Sequence, residues 1–139
     1  MKEKKKTMNF IDEQHEKEFA RLLKKYPFNT DDRDRVLLFY VLAAINVMER
    51  GVDQDLIELD YSKKPVIKLD ALHHGWVTDG DAKMIRLAFH LYSWRTPTCE
   101  GDNDVEEMQN YTPVKLLTGL GSRYADAAYE ALNILRNWN

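Results

Sequence analysis

The chain has a single cysteine, Cys99, in 139 residues. One thiol cannot close an internal disulfide, so covalent cross-bracing is excluded and a reducing compartment is expected. Long hydrophobic runs are missing as well. The longest apolar stretch, residues 36–45, falls short of the roughly 18 residues that indicate a membrane span, so no transmembrane helix and no membrane partner are expected. Lys2, Lys4, Lys5 and Lys6 open the chain, but Asn9, Asp12 and Glu13 follow where a signal peptide has its apolar segment; the expected location is the cytoplasm. Positive charge is not in excess. The net charge of −3 makes nucleic acid an unlikely primary partner, because nothing draws a polyanion to the whole surface. Repeats, low-complexity tracts and interdomain linkers are also lacking. What is present is a globular composition, 44% hydrophobic and 31% charged. A chain of this size buries roughly 68–70% of its unfolded surface, enough for one self-sufficient core.

Hydrophobic periodicity supplies the elements. A helix is predicted over about 12–25, where His15, Phe19, Leu22, Leu23 and Tyr26 recur at helical spacing and Glu16, Lys17, Arg21 and Lys24 face away. Pro27 ends it. Thr30, Asp31 and Asp32 offer capping oxygens for a second helix over 32–50, apolar on every face, with Gly51 as its stop. A helix of that kind has to be enclosed, so it is expected at the centre. Asn46, set in its apolar wall, is expected to be paired, since an unpaired buried amide costs about 1–3 kcal/mol. Residues 52–72 are mixed: Leu56, Ile57 and Leu59 fit a helical turn, and 65–69 fit a short extended piece. Thr78 with Asp81 makes a capping box with Asp in place of Glu, opening a helix to about 93. Residues 98–110 read as an acidic loop. Thr112 and Pro113 start a short helix ending at Gly119 or Gly121, and Ser122 is placed to cap a last helix in which Tyr124, Ala128, Ala131, Leu132 and Leu135 share a face. The expected fold is all-α, allowing one short extended segment. It is a compact single-domain bundle of four to five helices around a central apolar helix, with a flexible basic tip at 1–8.

Chemistry-bearing patterns are few. Taking about 100° per residue, Lys83, Arg86, His90 and Trp94 form one narrow stripe on the helix that Thr78 caps, behind Trp76. Backbone N–H groups at that helix start, with Gly80, Lys83 and Arg86, are the ingredients of an anion or phosphate site. Asp79 and Asp81 argue the other way: the plainer reading has them cap the helix and pair with Lys83 or Arg86 while Trp76 packs on the core. Gly75 and Gly80 have phosphate-loop spacing, but Asp81, Ala82 and Lys83 follow instead of Lys and Ser or Thr, so that motif is rejected. His15 and Glu16 begin a zinc-protease pattern that fails at Phe19. The spacing of His73, His74, His90 and Asp79 compels no metal site. Cys99 lies among acids that raise a thiol pKa, and no nucleophile elbow is present, so thiolate or serine catalysis is not expected. His15, on the apolar side of its helix, reads as structural. No cofactor is implied. The lysine tip reads as a solvated end, and Asp102, Asp104, Glu106 and Glu107 form an acidic segment suited to a basic partner.

These features occur in an order that resembles the bacterial family known as domain of unknown function 6075. The resemblance is carried by His15 with Phe19, Leu22 and Leu23, and by Asp31 and Asp32 with Arg35. It continues in Gly75, Trp76, Val77 and Thr78 with Lys83 and the run Arg86, Leu87, Ala88, Phe89, His90, Leu91 and Tyr92. Tyr111, Thr112 and Pro113 then lead into Tyr124, Ala128, Ala131 and Arg136. It implies a protein of the kind carried by Gram-positive bacterial chromosomes and phages, and no activity or cofactor. The leading expectation is a small intracellular interaction module, carried by a phage or mobile element, that binds and inhibits a host protein such as a CRISPR-type immune effector. Its expected contact residues are Trp76, Thr78, Lys83, Arg86, His90, Trp94, Asp102, Asp104, Glu106 and Glu107. The alternatives are an anion- or phosphate-binding protein or enzyme using the 78–90 surface, and a nucleic-acid-binding protein; the same helix edge would also suit a homodimer seam.

Overall fold

In the computed structural model, the described residues are 8–94, 97 and 111–138. The lysine tip, Cys99, Asp102, Asp104, Glu106 and Glu107 lie outside them. Four helices of 12–16 residues carry the fold: α1 (Glu13–Lys25), α2 (Arg33–Ala44), α4 (Asp79–Ser93) and α6 (Ser122–Asn137). Two single-turn helices, α3 (Asp53–Leu56) and α5 (Pro113–Leu116), join them. One antiparallel hairpin, β1 (Ile57–Leu59) with β2 (Pro65–Ile67), completes the set, in the register Ile57 to Ile67, Glu58 to Val66 and Leu59 to Pro65. The protein is mostly helical, as its periodicity predicts.

Helix α2 is the axis. Every residue from 36 to 44 is at most 1% exposed, and α1, α4 and α6 pack around it. Each large side chain enclosed in this way contributes about 1.5–3 kcal/mol, so the three amphipathic helices are held by the one that is apolar all round. On α6 the inward face is Ala127, Ala128, Ala131 and Ile134, and the alanines let the helix axes approach closely. On α1, Asp12 caps the first turn through the His15 N–H, and Phe19 and Leu22 point inward with His15 and Glu18.

Helix α2 stops at Ala44, short of the predicted 50. Residues 45–51 are a chain of turns in which Asn46 takes a left-handed conformation, φ 58°, and Gly51 another, φ 69°. Asparagine tolerates that region better than other side chains. The consequence is that Asn46 ends the helix instead of lining it, and among the described residues its Oδ1 finds no donor. The expected cross-helix pairing of Asn46 is not present.

The turns are instead held by Glu18, a carboxylate fully buried in α1. Its two oxygens accept the N–H groups of Met48 at 2.9 Å and Glu49 at 2.8 Å, with Gln14 and Arg21 at 3.3 and 3.4 Å. A buried charge is tolerable only when its lone pairs are filled in this manner. Replacing Glu18 by Ala strands two backbone donors and is expected to cost about 2–4 kcal/mol. Glu18→Gln, which keeps one acceptor oxygen, is expected to cost less. Urea denaturation of the two variants and the parent checks the order; equal losses would remove the double acceptance from the account.

Candidate functional site

The six candidate residues that are described lie along α4 and its approach. Thr78 caps α4 by accepting the Asp81 N–H at 3.0 Å, while Asp81 Oδ2 accepts the Thr78 N–H at 3.1 Å, the capping box expected from the sequence. Asp81 is 1% exposed. Its partners differ from those expected. Arg50 reaches it with a two-pronged guanidinium contact of 3.2 and 3.1 Å, and the Tyr124 hydroxyl donates to it at 2.6 Å. Arg50 also donates to the Ile45 and Trp76 carbonyls, at 3.1 and 3.2 Å, and lies 4.6 Å from the centre of the Trp76 ring. Trp76 packs against the core and donates its Nε1–H to Asp55 at 2.9 Å.

Burial alone would push the Asp81 carboxyl up. Arg50, Tyr124 and the Thr78 N–H outweigh that and hold it below the ordinary aspartate value. The Tyr124 hydroxyl is pushed up to about 12 by burial and by the carboxylate it faces. Asp81 is therefore a joint: it fastens the turn after α2 and the start of α6 to the first turn of α4. The backbone donors and positive dipole that would attract a foreign anion there are answered by the chain's own carboxylate.

The rest of the stripe is divided between burial and surface. Lys83 donates to the Thr118 carbonyl at 2.6 Å and lies 3.7 Å from Asp79. Gly119 sits at φ 72°, a conformation that strains other side chains, and a Cβ there would stand 3.1 Å from Lys83 Nζ. Arg86 is only 6% exposed, its guanidinium 3.6 Å from the centre of the Tyr111 ring. His90 is half-buried, and burial lowers its pKa. Trp94, 52% exposed, ends α4 in a left-handed conformation, φ 64°, with the Arg33 guanidinium 4.9 Å from its ring centre. A helix of 15 residues is about 22 Å long, so Trp76 and Thr78 at its start and Trp94 at its end do not converge on one site.

Among the described residues no group of three or more His, Cys, Asp or Glu side chains is placed to hold a metal ion. His74 meets Asp55 at 3.8 Å and Asp70 at 3.9 Å, without a third such ligand. His15 is fully buried. Its Nδ1 accepts the Ile11 N–H at 3.0 Å, so Nε2 carries the proton donated to the Tyr40 carbonyl at 2.9 Å. Both ring nitrogens are spent on backbone, which makes this histidine a strut.

A concave site lies between the end of α1, α2 and the hairpin. The cavity there, about 320 Å³, is lined by Lys25, Tyr26, Pro27, Arg35, Phe39, Leu59, Lys63 and Pro65. Five segments build it: the end of α1 with the residues after it, α2, β1, the hairpin turn and the start of β2. Phe39 anchors it, stacked with Tyr26 at 5.8 Å and with Phe28 at 5.0 Å. Tyr26 donates to the buried Asp53 at 2.5 Å, and Lys25 pairs with the same carboxylate at 2.7 Å. Arg35 pairs with Asp32 at 3.0 Å. Beside the cavity, Leu59 is 46% and Tyr61 99% exposed. None of this group was singled out as a site from the sequence, because its members share no helical face and no motif spacing. Only the folding of the chain brings them together.

The fold and these contacts define a class first: a small helical domain wound on one enclosed helix, with one end internally tied and a cationic, aromatic hollow at the other. The chain belongs to the DUF6075 family, a family of unknown function whose model matches residues 5–137. No curated protein and no solved structure matches it.

The pH behaviour follows from two groups. Burial, set against the Tyr40 contact, holds His15 below its ordinary pKa of 6.5. The unfolded chain then binds the proton more readily, so this contribution is complete above about pH 6.5 and is lost as pH falls below it. His90 adds in the same sense. Asp81, held low, contributes above its ordinary 3.8 and loses that contribution as pH falls further, through its folded value. Denaturation curves from about pH 7 to about pH 5 are expected to show falling stability, and His15→Gln to flatten the slope. An unchanged slope would mean that His15 is not the titrating group. Asp81→Asn, which breaks the buried pair, is expected to cost about 3 kcal/mol at neutral pH by the same measurement.

Proposed function

We propose that this protein works as an interaction module, binding another protein through the end of the fold that carries Trp94 and the hairpin turn. The observation that supports this reading most is the exposure there of Tyr61, Trp94 and Leu59, at 99%, 52% and 46%, beside Arg33, Arg35 and Lys63. Aromatic rings with arginine are the side chains that dominate binding energy at protein interfaces. They are costly to leave in water, and nothing in the packing of α2 requires them. Trp94 spans both arguments, since it belongs to the stripe picked out from the sequence and stands at this end. The opposite end has the reverse character: Arg50, Asp81, Glu18 and Tyr124 are consumed by contacts within the chain.

The finer reading is that the partner is a host protein and that the module, carried by a phage or other mobile element, inhibits a bacterial immune effector of the CRISPR type. It is supported by the lack of a catalytic motif in the sequence and by the family resemblance, and it calls for a partner with an acidic face opposite the basic residues named above.

The experiment is an affinity capture from a bacterial lysate with the tagged chain, and with Trp94→Ala and Tyr61→Ala side by side. One large partner is expected with the parent chain, its recovery reduced at least about tenfold by either change. Both side chains are exposed, so the melting temperature is expected to hold nearly constant. Recovery of the same partner by the double variant would rule out this surface.

A further inference from the structure

The cavity between α1, α2 and the hairpin holds a feature that the packing of the chain does not need. Lys63 sits at φ 67° in the turn joining β1 to β2, a conformation that an L side chain adopts only against a steric penalty and that glycine adopts freely. The turn is fixed around it. Asp60 accepts the N–H groups of Ser62 at 2.8 Å and Lys64 at 2.9 Å through its side chain, and its own N–H donates to the Lys64 carbonyl at 2.9 Å. Glycine would serve such a turn better. The lysine that stands there instead lines the cavity, and among the described residues it forms no ion pair.

Lys63 faces the same hollow as Lys25 and Arg35, and no carboxylate lines it. The acids that pair with those two, Asp53 and Asp32, are not part of the wall. Tyr26, Pro27, Phe39, Leu59 and Pro65 make the remainder apolar. A volume of about 320 Å³ is near the small end for ligand pockets, which run from roughly 300 to 1,000 Å³. The body it admits is of single-ring size. Lys25 and Arg35 each share their charge with a carboxylate and Lys63 adds one that is not shared, so the head that suits the set is an anion with several acceptor oxygens, such as a phosphate.

We infer that this cavity is a binding site for a phosphomonoester with a small, flat apolar body, the phosphate held by Lys25, Arg35 and Lys63 and the body against Tyr26 and Phe39. The site shares Leu59, Arg35 and Lys63 with the proposed interaction surface, but Tyr61 and Trp94, whose replacement tests that surface, do not line the cavity, so the two readings can fail separately. The phosphomonoester can arrive as a free metabolite or as a phosphorylated aromatic side chain on a bound protein.

The test is a titration of the full chain, followed by amide chemical shifts, with phenyl phosphate as probe and benzyl alcohol as the uncharged control. Saturable shifts at Tyr26, Leu59 and Lys63 are expected with phenyl phosphate, and weaker ones with benzyl alcohol. Lys63→Gly removes the cation while relieving the turn, so it is expected to keep or raise the melting temperature and to weaken phenyl phosphate about tenfold. Lys63→Met, which keeps the stem and removes only the charge, is expected to weaken it equally and serves if the glycine variant misfolds. Shifts centred elsewhere, equal binding of benzyl alcohol, or unchanged affinity in both variants would overturn the assignment. A short phosphotyrosine peptide separates the sources: tighter binding than phenyl phosphate places the group on a partner chain, and weaker binding points to a free metabolite.

Discussion

A helix that is apolar on every face can be covered along its length by other helices, but its ends still carry backbone groups that must be bonded. Helix α2 meets this constraint at its C-terminal end, and the polar architecture of the protein is arranged around it. The last residues of the helix, up to Ile45, are buried, although the turns beyond it reach the surface at Glu49 and Arg50. The chain therefore brings its own side chains. Arg123 donates to the Ala44 carbonyl at 3.2 Å and pairs with Asp12, Arg50 donates to the Ile45 carbonyl at 3.1 Å, and Glu18 accepts from Met48 and Glu49. Each of these residues belongs to, or is tied to, a different element. Satisfying the end of one helix thus fixes the starts of α1, α4 and α6 relative to it. Burying apolar area explains why the helices associate, and the polar closure explains why they do so in one arrangement.

This division also sets what could be read from the sequence. The four long helices follow from local information: apolar spacing, Asp12 and Thr78 as caps, Pro27 and Pro113 as boundaries, and their limits fall close to the expected ones except at the C-terminal end of α2. The central place of α2 follows too, since a segment without a polar face has only one place to go. The end of α2 does not follow. Nothing in the run Leu42, Ala43, Ala44, Ile45, Asn46, Val47 and Met48 forbids helix, and the break is held by Glu18 and Arg123, 30 and 79 residues away from the groups they bond, together with the nearby Arg50. The same reason hid the true partners of Asp81. Lys83 and Arg86 are near in sequence and on the right helix, yet Arg50, 31 residues away, and Tyr124, 43 away, take the carboxylate. Periodicity also left 52–72 undecided between a helical turn and an extended piece: the turn ends at Leu56, and pairing with 65–67 makes Ile57 to Leu59 a strand.

The stripe of Lys83, Arg86, His90 and Trp94 was legible as a stripe and misleading as a surface. Helical spacing tells which residues share an edge and does not tell what covers that edge. Here α5 and Tyr111 cover its middle, so that Arg86 is buried, while Trp94 remains in water because the helix ends beneath it. One edge of α4 therefore serves as internal bracing for most of its length and as exposed surface for its last residue.

The two ends of the fold differ in the use of charge, and that difference is what gives a functional argument its footing. Where α2 ends, nearly every charged group is tied to backbone or to a buried opposite charge, and changing any of them acts on stability first. Where α2 begins, Lys25 and Arg35 are paired too, with Asp53 and Asp32, but Lys63 lines a hollow with no ion pair among the described residues and Arg33 lies against an exposed ring, and the left-handed residues Lys63 and Trp94 hold side chains at positions where glycine would be the easier choice. A fold under selection for stability alone relaxes such positions. The third such residue, Asn46, ends α2 and so serves the packing, whereas neither Lys63 nor Trp94 belongs to the buried core.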